Sequence, residues 1–126
     1  MTTSRLLVSV VDDDESVRES LPDLLRQFGF DAQAFPSAEA FLESAFVGET
    51  HCLILDIALP GMSGPDLKRE LANRGHGVPI VFITANGDGN VRTRLLAAGA
   101  VECLFKPFSD TALLDALNAA LRRSQQ

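Results

Sequence analysis

Four short apolar runs in this chain lead into residues that could do chemistry. Leu6–Val11 runs into Asp12, Asp13 and Asp14; "CLILD" ends at Asp56; "PIVFIT" ends at Thr84; "VECLF" is followed by Lys106 and Pro107. Neighbouring carboxylates repel, and two unit charges about 4 Å apart cost roughly 4 kcal/mol at an effective dielectric of about 20. If Asp56 shares a crevice with the aspartates of the first run, the set needs counter-charge to stay ionised. Lys106 supplies one positive charge, and a divalent cation would supply the rest. Oxygen donors without His or Cys favour a hard ion, Mg²⁺ or Mn²⁺.

Such a cation changes what the acids can do. A glycine-rich loop after the first strand would cradle a phosphate, but here that turn is acidic and repels a bare anion. A metal held by the acids can instead draw a phosphoryl group onto a neighbouring carboxylate. Asp56 then acts as a nucleophile, as carboxylates do in aspartyl-phosphate chemistry. Thr84 and Lys106 would each contact a phosphoryl oxygen.

Strands must carry these residues to one rim. The apolar runs Leu6–Val11, Asp31–Phe35, Cys52–Asp56, Pro79–Thr84 and Val101–Phe105 have strand length and are mostly rich in β-branched residues or Phe. "DAQAF" alternates polar and apolar, as an edge strand does, and delivers only Pro36 and Ser37. Amphipathic segments separate the runs. In "ESVRESLPDLLRQFGF", Val17, Leu21, Leu24, Leu25 and Phe28 share one face. Ser16 with Glu19 fits a capping box, Gly29 fits the stop, and Pro22 should kink the helix. "SAEAFLESAF" follows with Ser37 as cap, then "GPDLKRELANRG" with Pro65 in its first turn and Gly75 at its end. "GNVRTRLLAAG" and "SDTALLDALNAALRR", the last capped by Ser109 or Asp110, complete five helices. Strict β–α alternation with short links predicts a mostly parallel sheet, helices on both faces and ligands at the strands' carboxyl ends.

Composition narrows the options. The 126 residues suit one domain, and no repeat or linker divides them. Eleven basic against 17 acidic residues leave a net charge of −6, which argues against a broad nucleic-acid or anionic-membrane surface. Arg92, Arg94, Arg122 and Arg123 read as a solvated face before a partner site. His51 and His76 read as exposed loop residues. Cys52 and Cys103, both in apolar runs and outside any metal-ligand spacing, read as buried thiols in a reducing, cytoplasmic setting. No apolar run approaches the roughly 20 residues that span a bilayer, and the N-terminal run is too short for a signal peptide.

The pieces "VVDDDESVR", "LILDIALPGMSG", "VFITA" and "FKPF", in that order, resemble the response-regulator receiver domains of two-component signalling. The likeness covers nearly the whole chain, and "SAEAFLES" with "LPGMSGPDL" resembles the FixJ-like branch. The resemblance implies a flavodoxin-like (βα)5 three-layer sandwich with sheet order 2-1-3-4-5. It implies that Asp56 accepts the phosphoryl group and that Asp12 and Asp13, with Asp56 and the backbone carbonyl of Ala58, bind Mg²⁺. Asp14, one position beyond the pair, is left to cap the first helix. Thr84 matches the switch hydroxyl, and Lys106 the phosphate-pairing lysine, with Lys106–Pro107 cis. A sensor histidine kinase would be the donor, and the domain would catalyse its own phosphorylation and dephosphorylation without being a conventional enzyme. The output surface would be the fourth helix, fifth strand and fifth helix, acting on a protein partner or a DNA-binding domain outside this chain, with a homodimer on phosphorylation as a further option. Residues 1–126 would be the receiver alone, with no output domain, no direct nucleic-acid contact and no membrane contact.

Three positions depart from the family pattern. Cys103 stands where an aromatic ring usually reports movement of the Thr; Phe105, on the same face by strand alternation, is a candidate substitute. Ala58 replaces a larger residue two after the acceptor, and Asn86 stands two after Thr84; both flank the path of an attacking water. Two rival functions remain. One is a receiver-like interaction module that works without phosphorylation, to which Cys103 lends some weight. The other is a metal-dependent phosphohydrolase, against which "LDIALPG" offers no second acid.

Overall fold

The computed structural model describes residues 5–85 and 88–124. Asn86 therefore lies outside the described residues. Five strands form one parallel sheet in the order β2-β1-β3-β4-β5: β1 Leu7–Val11, β2 Asp31–Phe35, β3 Cys52–Asp56, β4 Ile80–Thr84 and β5 Glu102–Phe105. The expected strand order holds, and each strand begins within one residue of its apolar run. The helices between them are α1 Glu15–Gln27, α2 Ala38–Glu43, α3 Gly64–Asn73, α4 Gly89–Ala97 and α5 Asp110–Ser124.

Alternation along the central strands sorts their side chains into two cores. Val8, Val10, Ile54, Val81 and Ile83 face α1 and α5, where Leu21, Leu25, Leu113 and Leu117 meet them. Val11, Leu53, Leu55 and Phe82 face the other layer, against Phe41 of α2 and Leu67 and Leu71 of α3. β2 is the exposed-edge strand, with Asp31 and Gln33 open to solvent. Ser9 is buried but satisfied, its hydroxyl 2.7 Å from that of Thr50.

Local signals decide the helix ends. Asp14, not Ser16, caps α1: its Oδ1 accepts the Ser16 N–H at 2.9 Å and the Ser16 hydroxyl at 2.7 Å. The capping box expected at Ser16 and Glu19 is thus displaced by a charged acceptor two residues earlier. Pro22 sits buried inside the continuous α1. Ser37 caps α2 through the Ala40 N–H. That helix is shorter than its sequence pattern, because the Ser44 hydroxyl donates to the Phe41 carbonyl and accepts the Phe46 N–H. Such local side-chain bonds compete with helix propagation, and a 3-10 turn at Val47–Glu49 follows. Ser63, Asp88 and Ser109 cap α3, α4 and α5.

α4 differs from its neighbours. It has no buried residue. Cations hold the carbonyls just past its last turn: Lys68 Nζ donates to Ala98 O at 2.8 Å and Arg123 Nη1 to Gly99 O at 3.0 Å. On its flank, Arg92 pairs with Glu102 of β5 at 2.8 Å. His76 is half-buried, and the exposed His51 accepts the Leu7 N–H on Nδ1. The expectation of exposed loop residues holds for His51, though its ring accepts a backbone bond, and is corrected for His76, which is partly covered.

Candidate functional site

The carboxyl ends of β1, β3, β4 and β5 meet at one rim. Asp12 is fully buried there. Its backbone N–H still bonds Phe35 O of β2, so the strand register places it rather than a loop. Both of its carboxylate oxygens are used: Oδ1 accepts the Asp14 N–H at 2.9 Å and Oδ2 accepts Lys106 Nζ at 2.8 Å. Arg18 of α1 donates to the Asp12 carbonyl. Asp13 is exposed and Asp14 points to the helix it caps.

Asp56, 7% exposed, ends β3. Its Oδ1 accepts the Ala58 N–H at 3.3 Å and its Oδ2 lies 3.8 Å from Lys106 Nζ. Burial, then the charge of Asp12, push its carboxyl up to about 6, against the pull of Lys106. Burial alone would lower the Lys106 ammonium, but its bond to Asp12 and the charges of Asp12, Asp56 and Asp14 outweigh that and raise it. One cation therefore serves two buried acids, and net negative charge remains.

That imbalance fits a cation. Carboxylate oxygens of Asp12, Asp13 and Asp56 all lie within 4.8 Å of one another. The donors are all oxygen, two of the three acids are buried, and Asp13 opens to solvent as an entry side. This is the donor chemistry of a small hard dication.

Thr84, 5% exposed, ends β4 opposite Phe105, and its carbonyl accepts the Lys106 N–H at 2.8 Å. The Lys106–Pro107 peptide is cis. Beside Lys106, an apolar groove of about 450 Å³ opens between α1 and the start of α5, lined by Val17, Leu21, Leu24, Pro107 and Phe108.

Residues 8–118 match the family of response regulator receiver domains. The chain belongs to that family. The receiver is 44% identical to Nodulation protein W of Bradyrhizobium diazoefficiens over 98% of this chain and 55% of that protein. It superposes on the response regulator StyR with a TM-score of 0.86 at 48% identity, covering 97% of this chain and 62% of that one. On FixJ-N the TM-score is 0.82 at 37% identity, covering 95% and 96% of the two chains. FixJ proteins among its relatives place it in the FixJ-like branch. The chain spans about half the length of the curated relatives it matches.

The receiver brings together every site residue expected from the sequence within the described residues: Asp12, Asp13, Asp56, Ala58, Thr84 and Lys106. Cys103, where the resemblance leads to the expectation of an aromatic ring, occupies a closed position on β5. It is 3% exposed, opposite Phe82, in the core shared with α2 and α3. Burial, then Glu102, raise its thiol against the pull of Arg92. Phe105 lies beyond it, 39% exposed.

Other contributors carry no chemical signature in sequence. Gly64 is one. A Cβ there would sit 2.5 Å from the Asp56 carbonyl oxygen and 3.1 Å from Phe82, so only glycine lets α3 start against the end of β3. Its N–H closes the loop onto Ile57 O. Arg18 and Glu39 are the others, visible only once the fold sets distant segments side by side.

Proposed function

We propose that this receiver takes a phosphoryl group from a sensor histidine kinase onto Asp56, with Mg²⁺ or Mn²⁺ held by Asp12, Asp13, Asp56 and the Ala58 carbonyl. The observation that carries the reading is three carboxylates within 4.8 Å of one another with Lys106 reaching two of them. The bound dication would supply positive charge for the equatorial oxygens of the transferring group. An ionised Asp56 oxygen attacks phosphorus, its O–P bond forming as the bond to the donor's imidazole nitrogen breaks. The Ala58 N–H and the strand end hold the nucleophile in place. Lys106, already anchored on Asp12, pairs with the arriving charge, and the Thr84 hydroxyl meets another phosphoryl oxygen. Hydrolysis of the acyl phosphate by water returns Asp56 to its starting state, so the domain resets itself.

The apolar groove beside Lys106 supports a protein as donor, since it offers an anchoring surface next to the acceptor. Phe105, exposed on β5 between α4 and α5, supports an output surface there, including pairing of two phosphorylated copies. Relatives named transcriptional regulatory proteins, TdiR and FixJ, support an output in transcription through a partner or a further domain. A cytoplasmic setting agrees with the two reduced thiols, and among the described residues no helix is long and apolar enough to cross a membrane. A phosphorylation-independent interaction module is the second reading, favoured by the buried Cys103 alone.

Acetyl phosphate with Mg²⁺ separates the two. The expected outcome is stoichiometric labelling seen by phosphate-affinity electrophoresis, abolished by Asp56→Asn and made independent of Mg²⁺, at a low residual level, by Asp13→Ala. Undiminished labelling of Asp56→Asn would remove the acceptor assignment. No labelling of the unaltered chain would favour the interaction module.

A further inference from the structure

We propose that Glu39 of α2 is a positioning residue for the loop that follows Asp56, and so for the Ala58 carbonyl at the metal. The inference rests on the metal-dependent acceptor reading above and adds a residue from outside the rim. Asp56 is fixed by β3, but Ala58 lies in the loop Ile57–Ser63, whose carbonyls belong to no strand. The Ile57 N–H still bonds Ile83 O and Leu59 is buried in the core, and three further hydrogen bonds shape the loop. At its near end the Ala58 N–H bonds Asp56 Oδ1, and at its far end the Gly64 N–H bonds Ile57 O. Between them, Glu39 Oε2 accepts the Met62 N–H at 2.9 Å across 23 residues of sequence.

The loop is shaped to receive this carboxylate. Gly61 has φ +75°, a region that disfavours a side chain. A Cβ at Gly61 would also stand 2.6 Å from Glu39 Oε2. The turn therefore favours glycine next to the bonded N–H, and the acid comes in close over it. Glu39 is itself held: it lies in the first turn of α2, whose cap Ser37 fixes the helix start, and Phe41 two residues on is fully buried. The Met62 N–H, then the backbone N–H of Glu39, keep its carboxyl below the ordinary glutamate value, so it is an anionic acceptor at neutral pH. A rigid helix thus grips the loop at its crest, while the two ends are closed by bonds of its own.

Losing the grip should loosen the loop without disturbing either core, because the Glu39 side chain is exposed. Glu39→Ala is expected to weaken Mg²⁺ binding, measured by calorimetry, about three- to fivefold, the size of one modest hydrogen bond at ~0.6–1 kcal/mol. The Mg²⁺ concentration for half-maximal labelling by acetyl phosphate should rise by the same factor, with the rate at saturating Mg²⁺ and the melting temperature close to those of the unaltered chain. Glu39→Gln keeps an acceptor oxygen and should restore Mg²⁺ affinity. Equal Mg²⁺ affinity in Glu39→Ala and the unaltered chain would overturn the inference while leaving the acceptor reading intact. So would Glu39→Gln as weak as Glu39→Ala, since the acceptor would then not be what matters. An unaltered chain that binds no Mg²⁺ would sink both.

Discussion

Asp56 is held in the fold at the expense of its own ionisation. Its carboxyl is raised to about 6 from an ordinary 3.8, whereas the unfolded chain ionises freely. A group raised in the fold supports folding fully below its unfolded value, and that support is lost as pH climbs through the folded value. At neutral pH the ionised Asp56 therefore opposes folding. Asp56→Asn is expected to stabilise the metal-free domain at pH 7 by about 1–2 kcal/mol, discounted for partial solvation. Urea denaturation in chelator checks this, and the advantage should vanish near pH 4. Mg²⁺ must displace the same proton, so its affinity should fall as pH drops through about 6, by up to about tenfold per unit. Calorimetry at neutral and mildly acid pH would show a flat affinity if Asp56 were not a ligand.

At the scale of elements, β5 carries the chain's departure from its family. Cys103 fills a closed position against Phe82, and Phe105 stands outside with its ring in solvent. No large ring sits inward of Thr84 along this strand, and the candidate substitute Phe105 stands exposed. Cys103→Phe should cost about 1–3 kcal/mol by overpacking. It should also enlarge the phosphorylation-linked amide shifts of β5 and α5 seen by NMR; unchanged shifts would mean that any coupling to the output face does not run through position 103. The rim residues were legible because four apolar runs lead into charged or hydroxyl residues and parallel strands gather those ends, whereas the strand order came from the family resemblance. The end of α2 was not, because apolar spacing in "SAEAFLESAF" continues past Ser44 while its hydroxyl bonds take the backbone away. Glu39 and Met62 were equally hidden, as neither residue type nor spacing marks a bond formed by tertiary approach. The bond from the Leu7 N–H to His51 was hidden for the same reason.

For the molecule as a whole, the three rim carboxylates are where bound positive charge would relieve repulsion. A ligand that binds the fold and not the unfolded chain adds about 2.7 kcal/mol at a hundred times its Kd. For a domain of this size that should raise Tm by about 5–15 °C. Scanning calorimetry in Mg²⁺ against chelator tests it, and Asp13→Ala should flatten the response. A shift that survives Asp13→Ala would point to metal bound elsewhere on the acidic surface. The fourth helix has a mechanical consequence of its own. Its tail is pinned by Lys68 and Arg123, while its flank rests on an Arg92–Glu102 pair of the exposed kind, worth no more than about 1 kcal/mol. A rod fastened at one end and lightly latched along its side pivots; it does not slide. Any tug on its leading end after Thr84 would swing it about the Ala98–Gly99 corner, and through Arg123 the last helix would feel the torque.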